Sequence, residues 1–256
     1  MKINRRKFIK SSVLGGISTN YLSVPLNILS DEQIDLKYSL SLDAPTRLFD
    51  GKSCFVHARA GIIPIINDGL HRIIMTMNLQ DLSGSDVFRA AIEIKTDDHG
   101  MTWTLPEKIN NLSPHYEVIN DLERPVALSD FWPKWHKNSK TLLGIGHTVV
   151  YTADWKVVNP RPRNTAYSVY NLEQNSWTKW KKLEMSDKIK FYNAGAGSMQ
   201  RFDLEDGTIL LPISYAISFK PYIKNVTVCK CTFDGENLKF IEHGTELKLI
   251  DGTRGL

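Results

Sequence analysis

"IKTDDHGMTWTLP", residues 94–106, sets two acidic residues, a glycine, three threonines and a tryptophan in one short stretch. It joins two strand-like runs, and Asp97-Asp98-His99-Gly100 supplies the turn chemistry between them. Aspartate caps nearby backbone N–H groups, and glycine accepts a positive φ. Any β-protein can show that much. The spacing Thr96-x-Asp98-x-Gly100-x-Thr102-Trp103 is more particular, because a hydroxyl and a carboxylate both reach the turn's backbone while an indole closes over the strands beneath.

Working outward, the chain after residue 45 is almost entirely β-like. Val, Ile, Tyr, Phe and Thr gather in short runs parted by Asp-Gly and Asn-Asp-Gly turns, without a sustained helical period. The runs fall into a repeat of four. The first unit reads HARAGIIPII, HRIIMTMN, VFRAAIEIKT and MTWTLPEKI; the second reads ERPVALSDF, KTLLGIGHTVVY, TAYSVYNL and SWTKWKKL. Its last turn, NLEQNSW (171–177), ends in Ser176-Trp177 where the first ends in Thr102-Trp103. A third unit reads NAGAGSMQRFD, GTILLPISYAI, NVTVCKCTF and LKFIEHGTEL, and DGTRGL (251–256) opens a fourth. Four strands per unit, with a turn-plus-Trp mark late in the unit, predict the blades of an all-β propeller spanning residues 45–256. Three blades do not close a ring, so the chain is expected to be a truncated part of a longer propeller.

The 256 residues carry a formal net charge of +4, with basic residues scattered except at the N-terminus, which argues against a nucleic-acid groove. Residues 1–30 read as an export signal. They have a basic start with Arg5-Arg6 and Phe8, then a short apolar stretch with Gly15-Gly16, too interrupted to span a membrane stably. A periplasmic or extracellular location is the resulting expectation. The three cysteines, Cys54, Cys229 and Cys231, leave one unpaired in any scheme, and Cys229-x-Cys231 on a strand suits a buried pair better than a bridge. Neither a metal site nor a cofactor is expected.

The opening stretch resembles the Asp-box of the sialidase-like (BNR) superfamily, Ser/Thr-x-Asp-x-Gly-x-Thr-Trp, at Thr96, Asp98, Gly100, Thr102 and Trp103. In that family the box is structural and sits on the blade rim away from the active site. The resemblance implies a six- or seven-bladed parent and an exported exo-glycosidase acting on a terminal acidic sugar of a glycan. The family's early Arg-Ile-Pro element has its counterpart in Arg59, followed at a longer spacing by Pro64, and its acid/base aspartate falls near Asp86. The remaining arginines and the Tyr–Glu nucleophile pair would lie beyond Leu256.

A second resemblance competes. CFVHARAGIIP, GIGHTVVY and AGSMQRF are similar to related propellers that act on rhamnose–glucuronate linkages, in which a histidine carries the chemistry. That resemblance implies His57 and His147 as proton-moving groups, with Arg59, Arg163, Gln200 and Arg201 holding the substrate. A guanidinium suits a sugar carboxylate. Strand alternation is expected to turn His57 and Arg59 to one side. Trp132-Pro133-Lys134-Trp135, read as a loop, is the stacking candidate, and His99 is placed on the outer rim. A glycan-binding propeller without catalysis is the third reading, since the fold alone does not decide activity.

Overall fold

A computed structural model describes residues 42–67, 69–197, 200–219 and 222–248. The export signal expected over residues 1–30 and the fourth unit at 251–256 lie outside the described residues. The chain divides into two units, Met1–Asp43 and Ala44–Leu256, and every described strand belongs to the second.

Three antiparallel sheets succeed one another along the chain, and the described residues contain no helix. The first sheet is β1 (Ser53–Asn67), β2 (Leu70–Asp81), β3 (Phe88–Thr96) and β4 (Glu107–Lys108), in that spatial order. The second contains β5 (His115–Ile119), β6 (Leu122–His136), β7 (Thr141–Val150), β8 (Thr165–Asn171), β9 (Ser176–Trp177) and β10 (Lys181–Lys182). The third contains β11 (Ala194–Gly195), β12 (Phe202–Asp203), β13 (Ile209–Phe219), β14 (Tyr222–Phe233), β15 (Leu238–His243) and β16 (Leu247–Lys248). Each sheet is a meander, the arrangement expected of blades. No described helix is long and apolar enough to cross a membrane.

Two details depart from the sequence reading. An additional strand, β5, pairs with the start of β6 through a two-residue turn in which Asn120 and Asp121 both take positive φ (51° and 59°). Asparagine and aspartate tolerate that region, so the turn suits the right-handed twist of a hairpin. Trp132–Trp135, read as a loop, lies inside β6.

Apolar side chains from facing sheets fill the gaps between blades. Ile63, Ile74 and Ala91 of the first sheet pack with Val126, Leu128, Phe131 and Tyr170 of the second; Trp177 is 1% exposed. Its indole N–H donates to Glu93 Oε2 at 3.1 Å, which satisfies a polar group that burial would otherwise penalise. Leu143, Ile145, Tyr167 and Val169 meet Ile209, Leu211, Ile213 and both Cys229 and Cys231 in the next gap. The two cysteines are free and buried, and burial pushes both thiols up to about 12.

The meander sorts the connections onto two rims. The β1–β2 turn and the β3–β4 turn, which carries the opening motif, lie on one rim; the β2–β3 and β7–β8 connections lie on the other. On the first rim the motif closes on itself. Thr96 Oγ1 accepts the Gly100 N–H at 3.0 Å and donates to Asp98 Oδ1 at 2.7 Å. Asp98 also accepts the Thr102 N–H at 2.9 Å and the Thr102 hydroxyl, and the Trp103 indole donates to Gly100 O at 3.1 Å. These bonds, the Thr102 hydroxyl first, hold the Asp98 carboxyl well below its ordinary value. Arg72 pairs with Asp97 at 2.7 Å and also reaches Asn175, so the motif is tied to the corresponding turn of the next blade. His99 lies on this rim, edge-on to His71.

Candidate functional site

The site is created by two β-bulges at matching places in the inner strands β1 and β6. In β1 the register with β2 slips between Val56 and Arg59, and His57 takes φ 56°. In β6 the register with β7 slips between Ser129 and Trp132, and Asp130 takes φ 49°. A bulge interrupts the side-chain alternation and turns its extra residue away from the sheet faces. The expectation that alternation alone turns His57 and Arg59 to one side is therefore corrected: two residues of β1 oppose one of β2 at that point. Both side chains nonetheless reach β6, His57 at Asp130 and Arg59 at Trp132.

The surroundings determine the β6 bulge. Bulging leaves backbone carbonyls without ladder partners, and buried carbonyls need donors. Asn78 donates to Leu128 O at 2.9 Å and Thr76 donates to Phe131 O at 3.3 Å, both from β2 across the gap. The Phe131 ring lies over Gly144, and the Ser129 carbonyl lies over Gly146; a Cβ at either glycine would collide with them. GIGH (144–147) is thus a strand built to accept a bulge.

His57 Nδ1 stands 3.3 Å from Asp130 Oδ1 and 3.5 Å from Ser129 Oγ. His147 Nδ1 approaches the other carboxylate oxygen at 3.8 Å. Two imidazoles from adjacent blades therefore face one carboxylate, with side-chain exposures of 31% for His57, 8% for His147 and 12% for Asp130. Gly195 and Gly197 of the third sheet press on His147; a Cβ at Gly197 would overlap its ring and lie 3.1 Å from Asp130 Oδ2. His147 is held well below its ordinary value, first by burial and then by the charges of Arg163, Arg161, His57 and Lys224. It is neutral at neutral pH. Its Nδ1 has no hydrogen-bond partner among the described residues.

Arg161 and Arg163 bear on this cluster, whereas Arg201 bonds β6 and β7 nearer their connecting turn, away from it. Arg163 donates to Ser214 O and Oγ at 2.7 and 2.8 Å. Arg161 lies 3.4 Å from Asp86 Oδ2. Asp86, with φ 60°, is anchored through its carbonyl, which accepts the Tyr151 hydroxyl at 2.6 Å. Arg59 stacks 5.0 Å from the Trp132 ring centroid and donates to Ala58 O, and Gln200 is exposed. Arg201, expected to hold substrate, is 5% exposed, and its guanidinium donates to Asp203, Leu143 O and Lys134 O at 2.7–2.8 Å. Those bonds fasten the second blade to the third and leave it no free face. The described residues bring together no cluster able to hold a metal ion.

Sequence reasoning missed Asp130, Arg161 and Lys224. The signal that pointed toward Asp130 was indirect: GIGH and AGAG (194–197) each place two glycines where a neighbouring strand must come close.

No family model matches the chain, and no curated protein matches it. Among solved structures it is similar to the Hadza microbial sialidase Hz136, at 14% identity and a TM-score of 0.50. The likeness covers 74% of this chain and 38% of that one. With its three meander sheets, the chain has an all-β, propeller-like fold of the sialidase kind.

Proposed function

We propose that the protein is an exported carbohydrate-active enzyme acting on a terminal acidic sugar of a glycan, at the rim where His57, Asp130 and His147 meet beside Arg161 and Arg163. The observation that carries this reading is the partly exposed His57 ring set on a largely buried carboxylate, with the charges of Arg161 and Arg163 bearing on the adjacent His147. An arginine suits a sugar carboxylate because its fork matches two oxygens. An imidazole gives or takes a proton near neutral pH. Arg5-Arg6 and the short apolar stretch after them support export.

Two enzymic readings divide on the proton-moving group. A sialidase-type exo-glycosidase relies on Asp86; a histidine-dependent enzyme of rhamnose–glucuronate linkages relies on His57. The geometry favours the histidine, because Asp86 already faces Arg161 as a counter-ion and its backbone carbonyl is held by Tyr151, whereas the His57 ring is set against the Asp130 carboxylate within the cluster. The test is turnover of sialylated and of rhamnosyl-glucuronate oligosaccharides by the whole protein, with His57→Ala and Asp86→Ala variants. His57→Ala is expected to lower turnover by about 10²–10⁴ with binding retained, the usual contribution of a general acid or base. A loss with Asp86→Ala alone would favour the sialidase scheme. Glycan binding without turnover in any form would sink both enzymic readings.

A further inference from the structure

We infer that Asp130 is a positioning residue: its carboxylate takes the Nδ1–H of His57 and so leaves Nε2 as the ring atom that exchanges a proton with a bound sugar. The inference deepens the proposed function and rests on His57 being the proton-moving group there. Three observations carry it. Asp130 is the extra residue of the β6 bulge, held at φ 49°, a conformation that persists where its surroundings over-determine it. Asn78, Thr76, Gly144 and Gly146 supply those constraints. Oδ1 lies 3.3 Å from His57 Nδ1, an ion-pair approach that competes with the Ser129 hydroxyl's hydrogen-bond contact at 3.5 Å.

The charged and titratable groups facing the His57–Asp130 pair come from three further elements: His147 from β7, Arg161 and Arg163 from the β7–β8 connection, and Lys224 from β14. His147 is held neutral by burial and by those cations, so it does not neutralise the carboxylate from behind. In the acid step, the protonated His57 ring gives its Nε2 proton to the departing oxygen as the sugar's C–O bond breaks with its electron pair going to that oxygen; water adds to the sugar carbon and returns a proton to Nε2. The electron pair of that N–H bond stays on the ring, and Asp130 remains a carboxylate throughout. A carboxylate in this place fixes the tautomer and orientation of the imidazole, as the buried aspartate does in a Ser-His-Asp triad.

The two candidate partners of Nδ1 make opposite demands. A carboxylate accepts a hydrogen bond and requires Nδ1–H, whereas a donating Ser129 hydroxyl requires a bare Nδ1 and places the proton on Nε2. Ring-nitrogen NMR of the ¹⁵N-histidine-labelled full chain, recorded in the neutral form of the ring, reads this directly in the unmutated protein. The expected pattern for His57 is a protonated Nδ1 and a bare Nε2. In Asp130→Asn the side-chain amide turns an N–H toward the ring, and the proton moves to Nε2; Ser129→Ala leaves the tautomer as it was. Turnover of the acidic glycan is expected to fall by about 10²–10⁴ in Asp130→Asn, with glycan affinity little changed. A wild-type His57 protonated on Nε2, or a switch caused by Ser129→Ala, would overturn the inference even if Asp130→Asn failed to fold. If the tautomer behaves as expected while no acidic glycan is turned over, the positioning role stands and the proposed activity falls.

Discussion

Replacing Gly195 by alanine pushes on the site from the third blade without replacing an ionisable group. A Cβ built there lies 2.8 Å from His147 Cβ, 2.9 Å from Arg163 Nε and 3.0 Å from Arg163 Cδ. Ordinary contact begins at 3.4 Å, so His147 Cβ must retreat by the difference between 3.4 and 2.8, about 0.6 Å. That atom is fixed to the β7 backbone and has no rotamer with which to escape, so the spacing between β7 and β11 must open. Overpacking of this kind costs about 1–3 kcal/mol. In a chain of this size each kcal/mol lowers the thermal midpoint by about 2–4 °C. Urea and thermal unfolding of Gly195→Ala measure the loss, and the ring resonances of His147 report whether the imidazole has moved. If catalysis depends on the cluster, a displacement approaching 1 Å costs up to about 10²-fold in turnover. A midpoint equal to that of the unmutated chain, together with an unshifted His147 ring, would show that the third blade does not bear on His147 and would refute the packing of the site.

The remaining predictions concern the framework. Trp177→Ala is expected to cost about 3–5 kcal/mol in denaturant unfolding, as for a buried aromatic truncation, and Trp103→Ala less, because Trp103 is only half-buried. Asp98 has a depressed folded value against an ordinary 3.8, so its contribution is complete above about pH 4 and fades as pH falls through the folded value. The stability gap between the unmutated chain and Asp98→Asn should accordingly be full at neutral pH and narrow in acid; a gap that widens in acid would contradict the hydrogen-bonding seen at the turn. Cys229 and Cys231, with thiols raised to about 12, should resist a thiol reagent until the chain unfolds, while the half-buried Cys54 reacts in the folded protein.

Much of the architecture was legible because it is written locally. The box at Thr96–Trp103 needs neighbours only a few residues away, and the order of strands is set by turn residues at regular intervals. β5 escaped notice because HYEVI is short and its partner, the start of β6, looked complete without it. The site was half legible. His57 and His147 stood out by chemistry, but Asp130 did not, because ERPVALSDF reads as one regular strand with Asp130 near its end. A bulge depends on what the adjacent strand and blade offer, here Gly144, Gly146, Thr76 and Asn78, and no window of one strand contains that information. Arg201 was misjudged for the same reason: whether a guanidinium meets solvent or two buried carbonyls is decided by packing between blades.

The paired bulges at His57 and Asp130 also bear on how such a molecule can change. Residues on the regular parts of β1 and β6 are bound by alternation, each choosing between two packed faces. The surplus residue of each of these two bulges answers to neither face and points toward its counterpart in the next blade. Substitution there alters which groups converge while leaving the interlocking of Leu128, Phe131 and Ile74 untouched. A repeat that carries the same irregularity at the same height in successive units thus owns a row of interchangeable positions, where new chemistry can be tried at a small cost to the scaffold.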